Sequence, residues 1–303
     1  MTPRKPLDTN AILIMILLCL LWGLQQVAVK MAAHGMGPVM QLGARSVIAA
    51  LLVCVLIVVR GNKFSLRDGS FWPGIGAGVL FALEFIAVAL GLQHTSASHI
   101  SVFLYTAPIF TVLGLHFFVP GERMGGLQWL GVIAAFAGIA VAFSNGFAQQ
   151  SRDWGDILLG DVLGVLGGLF WAATTVLIRG SALSEAPPTT TLLYQLGTGG
   201  LIMLAVAAAI GQASDIVMTR AVWISLFFQA VLVAFFSFLV WFWMLRRYLA
   251  SRLSVFSFLT PLFGVGFGVL LLHDPIDARF AAGAALVMLG VVMVNVRLGR
   301  KAG

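Results

Sequence analysis

The sequence predicts an all-α polytopic membrane protein, in which ten transmembrane helices form two inverted five-helix repeats. Three observations predict it. Of the 303 residues, 60% are hydrophobic and only 10% are charged, and the mean hydropathy is +1.02. Soluble domains carry about a quarter charged residues, so a chain this apolar takes the bilayer as its solvent. The apolar residues fall in ten separate runs, each near the roughly 20 residues that carry a helix across a hydrocarbon core. The later half of the chain also repeats features of the earlier half at offsets of 149 to 153 residues.

The runs lie at 11–30, 38–59, 72–92, 97–119, 125–144, 160–178, 190–211, 222–244, 250–272 and 278–296. Each reads as a helix, because a backbone in lipid must satisfy its amides and carbonyls within its own segment. Pro38, Pro120, Pro187, Pro188 and Pro275 stand at or near the boundaries, where a residue without an N–H suits a helix start or a turn. The first run contains Trp22, Gln25 and Gln26 and has no small-residue cleavage site, so it reads as a retained span and not a secretion signal. The longest connection, 145–159, contains Trp154 and is expected to lie along the interface.

Orientation follows from the cations. Thirteen Lys and Arg residues fall in connections on one side, four on the other, and Arg45 within the second span. By the positive-inside rule both termini are cytoplasmic, in a plasma (cell inner) membrane. The net charge of +7 is spread between apolar runs, which is a topology pattern and not a nucleic-acid surface. Cys19 and Cys54 lie inside apolar runs without metal-ligand spacing and are read as structural.

The repeat is clearest where ASHISVFLYTAPIF (97–110) meets its counterpart ASRLSVFSFLTPLF (250–263). The helices that follow carry Gly131/Gly138 and Gly283/Gly290, and Trp22 with Lys30 matches Trp171 with Arg179. The division falls at 1–147 and 148–303. Five spans per half is an odd number, so the second half enters the membrane upside down. Inverted halves meeting at the midplane are a layout of secondary transporters with alternating access; channels and receptors have less need of it.

Polar residues within spans are costly and are functional candidates by default. Trp22, Gln25 and Gln26 share one face of the first span, and Trp171, Thr174 and Thr175 share the equivalent face of the sixth. These are expected to bind substrate, the alternative being hydrogen bonds that glue helices together. Ser98, Ser101 and Tyr105 share a face of the fourth span, matched by Ser251, Ser254 and Phe258 in the ninth; Ser101 and Tyr105 join the binding candidates. Pro108 and Pro261 are expected to kink these spans, as hinges or as fixed bends. Glu84 reads as the only acid deep in a span, a candidate for substrate binding and for proton coupling, against a packed neutral carboxyl. Arg45 and Gln41 share a face of the second span, with Arg45 read more as an ion-pair or topological residue than as a carboxylate receptor. Lys30 and Arg179 are expected to snorkel to the interface, Asp161 to cap the sixth span, and His94, His99 and His116 to serve loops or packing and not a metal. Gly74/Gly78, Gly164/Gly168 and Gly264/Gly268 have the spacing of close helix approach.

Taken together, LLWGLQQVAVK (20–30), Arg45, GDVLGVLGGLFWA (160–172) and the proline-centred fourth and ninth spans resemble the EamA-type drug/metabolite transporters, over nearly the whole chain. The resemblance implies a monomer-sized, basket-like bundle whose central cavity is lined by spans one to four and six to nine, with spans five and ten set aside. It also implies export of small metabolites, amino acids, aromatic ones among them, being the leading expectation. Efflux of cationic drugs, nucleobases or sugar derivatives is the rival. No Gly-x4-Gly-Lys-Ser/Thr loop is present, so no nucleotide cofactor is expected and an ion or substrate gradient is the energy source. A membrane-embedded enzyme would need a clustered catalytic or metal-binding set, and the sequence offers none.

Overall fold

A computed structural model describes residues 4–61, 68–144, 154–214, 216–272 and 278–295. Lys63, Arg67, Arg152, Pro275, Arg297, Arg300 and Lys301, used above for topology or boundaries, lie outside these residues, as does the side chain of Ser98. Among the described residues nine helices are long and apolar enough to cross a membrane, and Gly126–Ala142 is a shorter apolar one. The first span is Thr9–Ala32, the second Pro38–Val59 and the third Phe71–His94. The fourth comprises Ala97–Leu104 and Ala107–Phe118, the fifth is Gly126–Ala142, the sixth Trp154–Gly180 and the seventh Pro188–Ala209. The eighth runs from Arg220 to Arg247, the ninth comprises Ala250–Phe256 and Leu259–Leu272, and the tenth is Ala278–Asn295.

Local chemistry sets the ends. The Asp8 carboxylate accepts from the Ala11 N–H at 2.8 Å and starts the first span. Ser96 and Thr219 oxygens do the same for the fourth and eighth, taking the N–H groups of His99 and Val222, orphan donors that a helix start must satisfy. Pro38 and Pro188 open the second and seventh spans, where a missing N–H costs nothing. Gly121, with φ 87°, turns the chain out of the fourth span.

Packing follows the small residues. The fifth and tenth helices run antiparallel against each other, so close that a Cβ on Gly131 would lie 2.7 Å from the Gly290 carbonyl oxygen and one on Gly138 2.7 Å from that of Gly283. Without a hydrophobic drive in lipid, such backbone contact is what associates helices. Gly74 and Gly78 likewise admit Tyr194 and Thr198 of the seventh span, and Gly164 and Gly168 admit the fourth. The third span lies on the sixth and the second on the seventh. The end where the first span begins and the tenth finishes is the terminal end; the other is the distal end.

Several expectations need correction. The sixth helix begins at Trp154, six residues earlier than the apolar run suggests, so Trp154 opens that span and does not lie in a connection. Asp161 is therefore inside the helix and is not its cap. It accepts from His99 Nδ1 at 2.7 Å and Thr95 Oγ1 at 3.3 Å, which also makes it a second acid within a span and gives His99 a polar partner. Arg179 does not snorkel; it is 3% exposed and bound to Glu122.

The prolines interrupt their spans instead of kinking them. The fourth breaks at Tyr105–Thr106 and the ninth at Ser257–Phe258, each turned by i to i−3 bonds, Thr106 N–H to Phe103 C=O and Phe258 N–H to Val255 C=O. Pro108 and Pro261 fall in the first turn after each break, because a proline ring excludes the preceding carbonyl from a continuous ladder but fits a new helix start. The eighth span also contains a π-helical stretch, Phe228–Ser237, that its sequence does not announce; such bulges concentrate at functional positions.

Candidate functional site

One cavity of about 160 Å³ lies at the middle of the bundle, lined by residues of spans one to four and six to nine. Among the described residues, none of the fifth or tenth span lines it. Each expected binding residue has a definite place. Trp22, Gln25, Gln26, Glu84, Tyr105, Trp171, Thr174 and Thr175 line the cavity, whereas Ser101 does not. The first and sixth helices meet it at equivalent turns because the inverted halves turn the same face inward.

The polar groups are held in different ways. Trp22 donates from Nε1 to Ser237 Oγ at 2.9 Å and packs edge-on against Trp241 and Phe238. Gln25 accepts from Arg45 Nη1, so its carbonyl oxygen is occupied and its amide NH₂ is what it offers a ligand. Gln26 is exposed. Thr174 and Thr175 donate to the Phe170 and Trp171 carbonyls of their own helix, a bond that leaves each hydroxyl oxygen able to accept. Tyr105 sits at the break of the fourth span, edge-on to Trp171 at 5.7 Å and 6.5 Å from Phe258. Since Phe258 is its repeat counterpart, the two interrupted helices meet beside the cavity through equivalent residues, of which only Tyr105 lines it.

Two ionisable side chains face the same space. Glu84 on the third span is 9% exposed and borders the cavity. Arg45 is fully buried, its guanidinium over the Phe85 ring at 5.5 Å. Its Nε and Nη2 have no hydrogen-bond partner among the described residues, which is costly for a charged group away from water. Both side chains border the same cavity.

Gln195 and Thr260 also line the cavity and escaped the sequence reading. Gln195 lies 150 residues after Arg45, so the repeat offset was the signal that could have found it. Among the described residues no three His, Cys, Asp or Glu side chains cluster as a metal site would require.

A profile of the EamA-like transporter family matches residues 9–144 and again 158–296. An uncharacterized transporter, YoaV, of Bacillus subtilis is 25% identical over 93% of this chain and 95% of its own. A protein named "Probable amino-acid metabolite efflux pump" in Escherichia coli is 27% identical over 91% of each chain. A solved crystal structure superposes with a TM-score of 0.80 at 18% identity, covering 95% of this chain and 96% of the other. With eight spans around one cavity, two profile matches and full-length transporter relatives, this chain belongs to the EamA-like transporter family and is a multi-pass membrane transporter, not an enzyme.

Proposed function

We propose that the protein exports small zwitterionic metabolites, amino acids foremost, across the plasma membrane by alternating access of two inverted halves, 1–147 and 148–303. The observation that carries this reading is the presence of one acid, Glu84, and one cation, Arg45, in a cavity whose other walls combine aromatic rings with uncharged amides and hydroxyls. A zwitterion offers an ammonium to the first. Its carboxylate is met by the Gln25 amide, which Arg45 holds in place. Trp22, Trp171 and Phe81 supply flat apolar faces for a side chain. The name of the Escherichia coli relative supports the same substrate class. Pro108 and Pro261, at paired breaks, are the hinges. Both termini lie in the cytoplasm on the charge count, and the substrate path is complete in a monomer.

A cationic cargo is the second reading, favoured by Glu84 beside rings that attract cations and opposed by Arg45 in the same space. Reconstitution into liposomes with radiolabelled amino acids and cationic compounds separates the two. Movement of at least one amino acid is the expected result, and transport of cations alone would reject the zwitterion assignment. Imposing a pH gradient tests Glu84. Glu84→Gln is expected to bring the ratio of gradient-driven to gradient-free flux down to about one, and a ratio unchanged from wild type would remove the coupling role.

A further inference from the structure

We infer that the Glu122 carboxylate is the latch that keeps the terminal end of the transport path shut, and that this structure is the distally open conformation. The inference deepens the alternating-access reading and rests on it.

Glu122 belongs to the first half, in the turn after Pro120 and Gly121, and is 1% exposed. Its Oε1 accepts from Arg179 Nη2 at 2.6 Å, Arg179 Nε at 3.2 Å and the Ala250 N–H at 3.0 Å. Its Oε2 accepts from the Ser251 N–H at 3.0 Å and Ser251 Oγ at 2.8 Å. One carboxylate of the first half thus ties down the end of the sixth span and the start of the ninth, both in the second half and both lining the cavity. Any displacement of these two spans from the fourth–fifth turn breaks the five bonds together, so the contact is made or lost as a unit.

The path is narrow where this contact sits. On the terminal side of the cavity, a separate small pocket that shares Ile178 and Phe242 with it holds about 10 Å³ and is bordered by Arg179, Leu183 and Leu245. That is about the room of one water. The interrupted spans give the same answer. The first half of the ninth packs on the second half of the fourth, at the terminal end. The symmetric pairing at the distal end, the first half of the fourth with the second half of the ninth, is at most marginal among the described residues. Accordingly residues 253–260 are buried, while residues 262–267 are partly exposed.

The N-terminal segment is strapped over the shut end. Lys5 pairs its backbone with Arg247 and Leu249, Arg4 binds the Ser184 carbonyl and Glu185 at 2.9 Å, and Tyr248 donates to Asp8 at 2.9 Å. Buried ion pairs add little stability over apolar groups of similar size, and their best-attested use is to select one arrangement over another. A latch is such a use.

The experiment reads accessibility and needs no substrate. A single cysteine at Thr174→Cys, in a Cys19→Ser and Cys54→Ser background that leaves no other thiol, is labelled with a membrane-impermeant thiol reagent in right-side-out and inverted vesicles. Labelling is expected from the distal side alone. Glu122→Gln and Ser251→Ala are then each expected to raise labelling from the terminal side, roughly tenfold for the first and less for the second. Terminal-side labelling unchanged in both variants would overturn the latch, and so would an equal rise from both sides, the mark of general loosening. If Glu122→Gln does not fold, Ser251→Ala decides alone. Failure of the liposomes to move any amino acid leaves this result intact, so the two readings fail separately.

Discussion

The two ends of the bundle are built from equivalent helices and differ in chemistry. At the terminal end Arg179 is buried and bound to Glu122, which also holds the start of the ninth span. Its repeat counterpart at the distal end, Lys30, is exposed. At that end His99 with Asp161 joins the fourth span to the sixth and leaves the ninth out, and Gln229 donates to Gln41 to join the eighth to the second. The terminal contact ties together three segments of the two halves, whereas His99 with Asp161, which also crosses between halves, connects two helices that already pack together along their length. The difference teaches that a symmetric repeat can encode an asymmetric state through a handful of charged side chains, while the apolar helices themselves remain interchangeable.

That comparison can be broken at either end. The largest effect is expected from Glu122→Ala, which strands Arg179 in a dry site; about 3–5 kcal/mol of stability is lost, read from unfolding in detergent. The double variant Glu122→Met with Arg179→Met removes both charges and is expected to return to within about 1 kcal/mol of wild type. A double variant as unstable as the single one would mean that the bonds to Ala250 and Ser251 carry the effect. Asp161→Asn makes the equivalent cut at the distal end. His99 keeps an acceptor there and the pair lies within one packed unit, so the expected cost is only about 1 kcal/mol, measured in the same way.

The smallest effect concerns the strap. The Ala11 N–H, and then the Tyr248 hydroxyl, hold the Asp8 carboxyl below its ordinary value of 3.8. A carboxyl depressed on folding contributes fully above its unfolded pKa, and the contribution is lost as the pH falls through the lower folded value. The strap is therefore expected to stay closed from neutral pH down to about 4 and to loosen only in stronger acid. Hydrogen exchange of the Leu249 amide, which bonds to Lys5 C=O, reports it. Exchange that quickened already between pH 7 and 5 would assign control of the strap to another group.

Much of the site was legible in the sequence alone. Trp22/Gln25 and Trp171/Thr174 fall at helical spacing on repeat-equivalent faces, so the periodicity that places a residue on a face also placed both faces on the cavity. Glu84 stood out because an acid is costly within an apolar run and is kept there for a partner or a ligand. Glu122 did not stand out. It lies in a polar turn, where a carboxylate is ordinary, and its partners are 57 and more residues away in sequence. Arg179 was misread for the same reason, since a cation at a helix end looks the same whether it snorkels or pairs. Ser101 shares a face with Tyr105 but lies one turn further along the span, outside the cavity lining.

By itself, then, the sequence determined the solvent, the ten spans and the inverted repeat. These follow from hydropathy, helical period and offset, which are local properties of a chain in lipid. Only the tertiary structure decided which end is shut, which polar residues are bound to one another, and where the spans break. Those depend on contacts between segments far apart in the chain, and a one-dimensional pattern carries no information about which of two equivalent surfaces is in contact at a given moment.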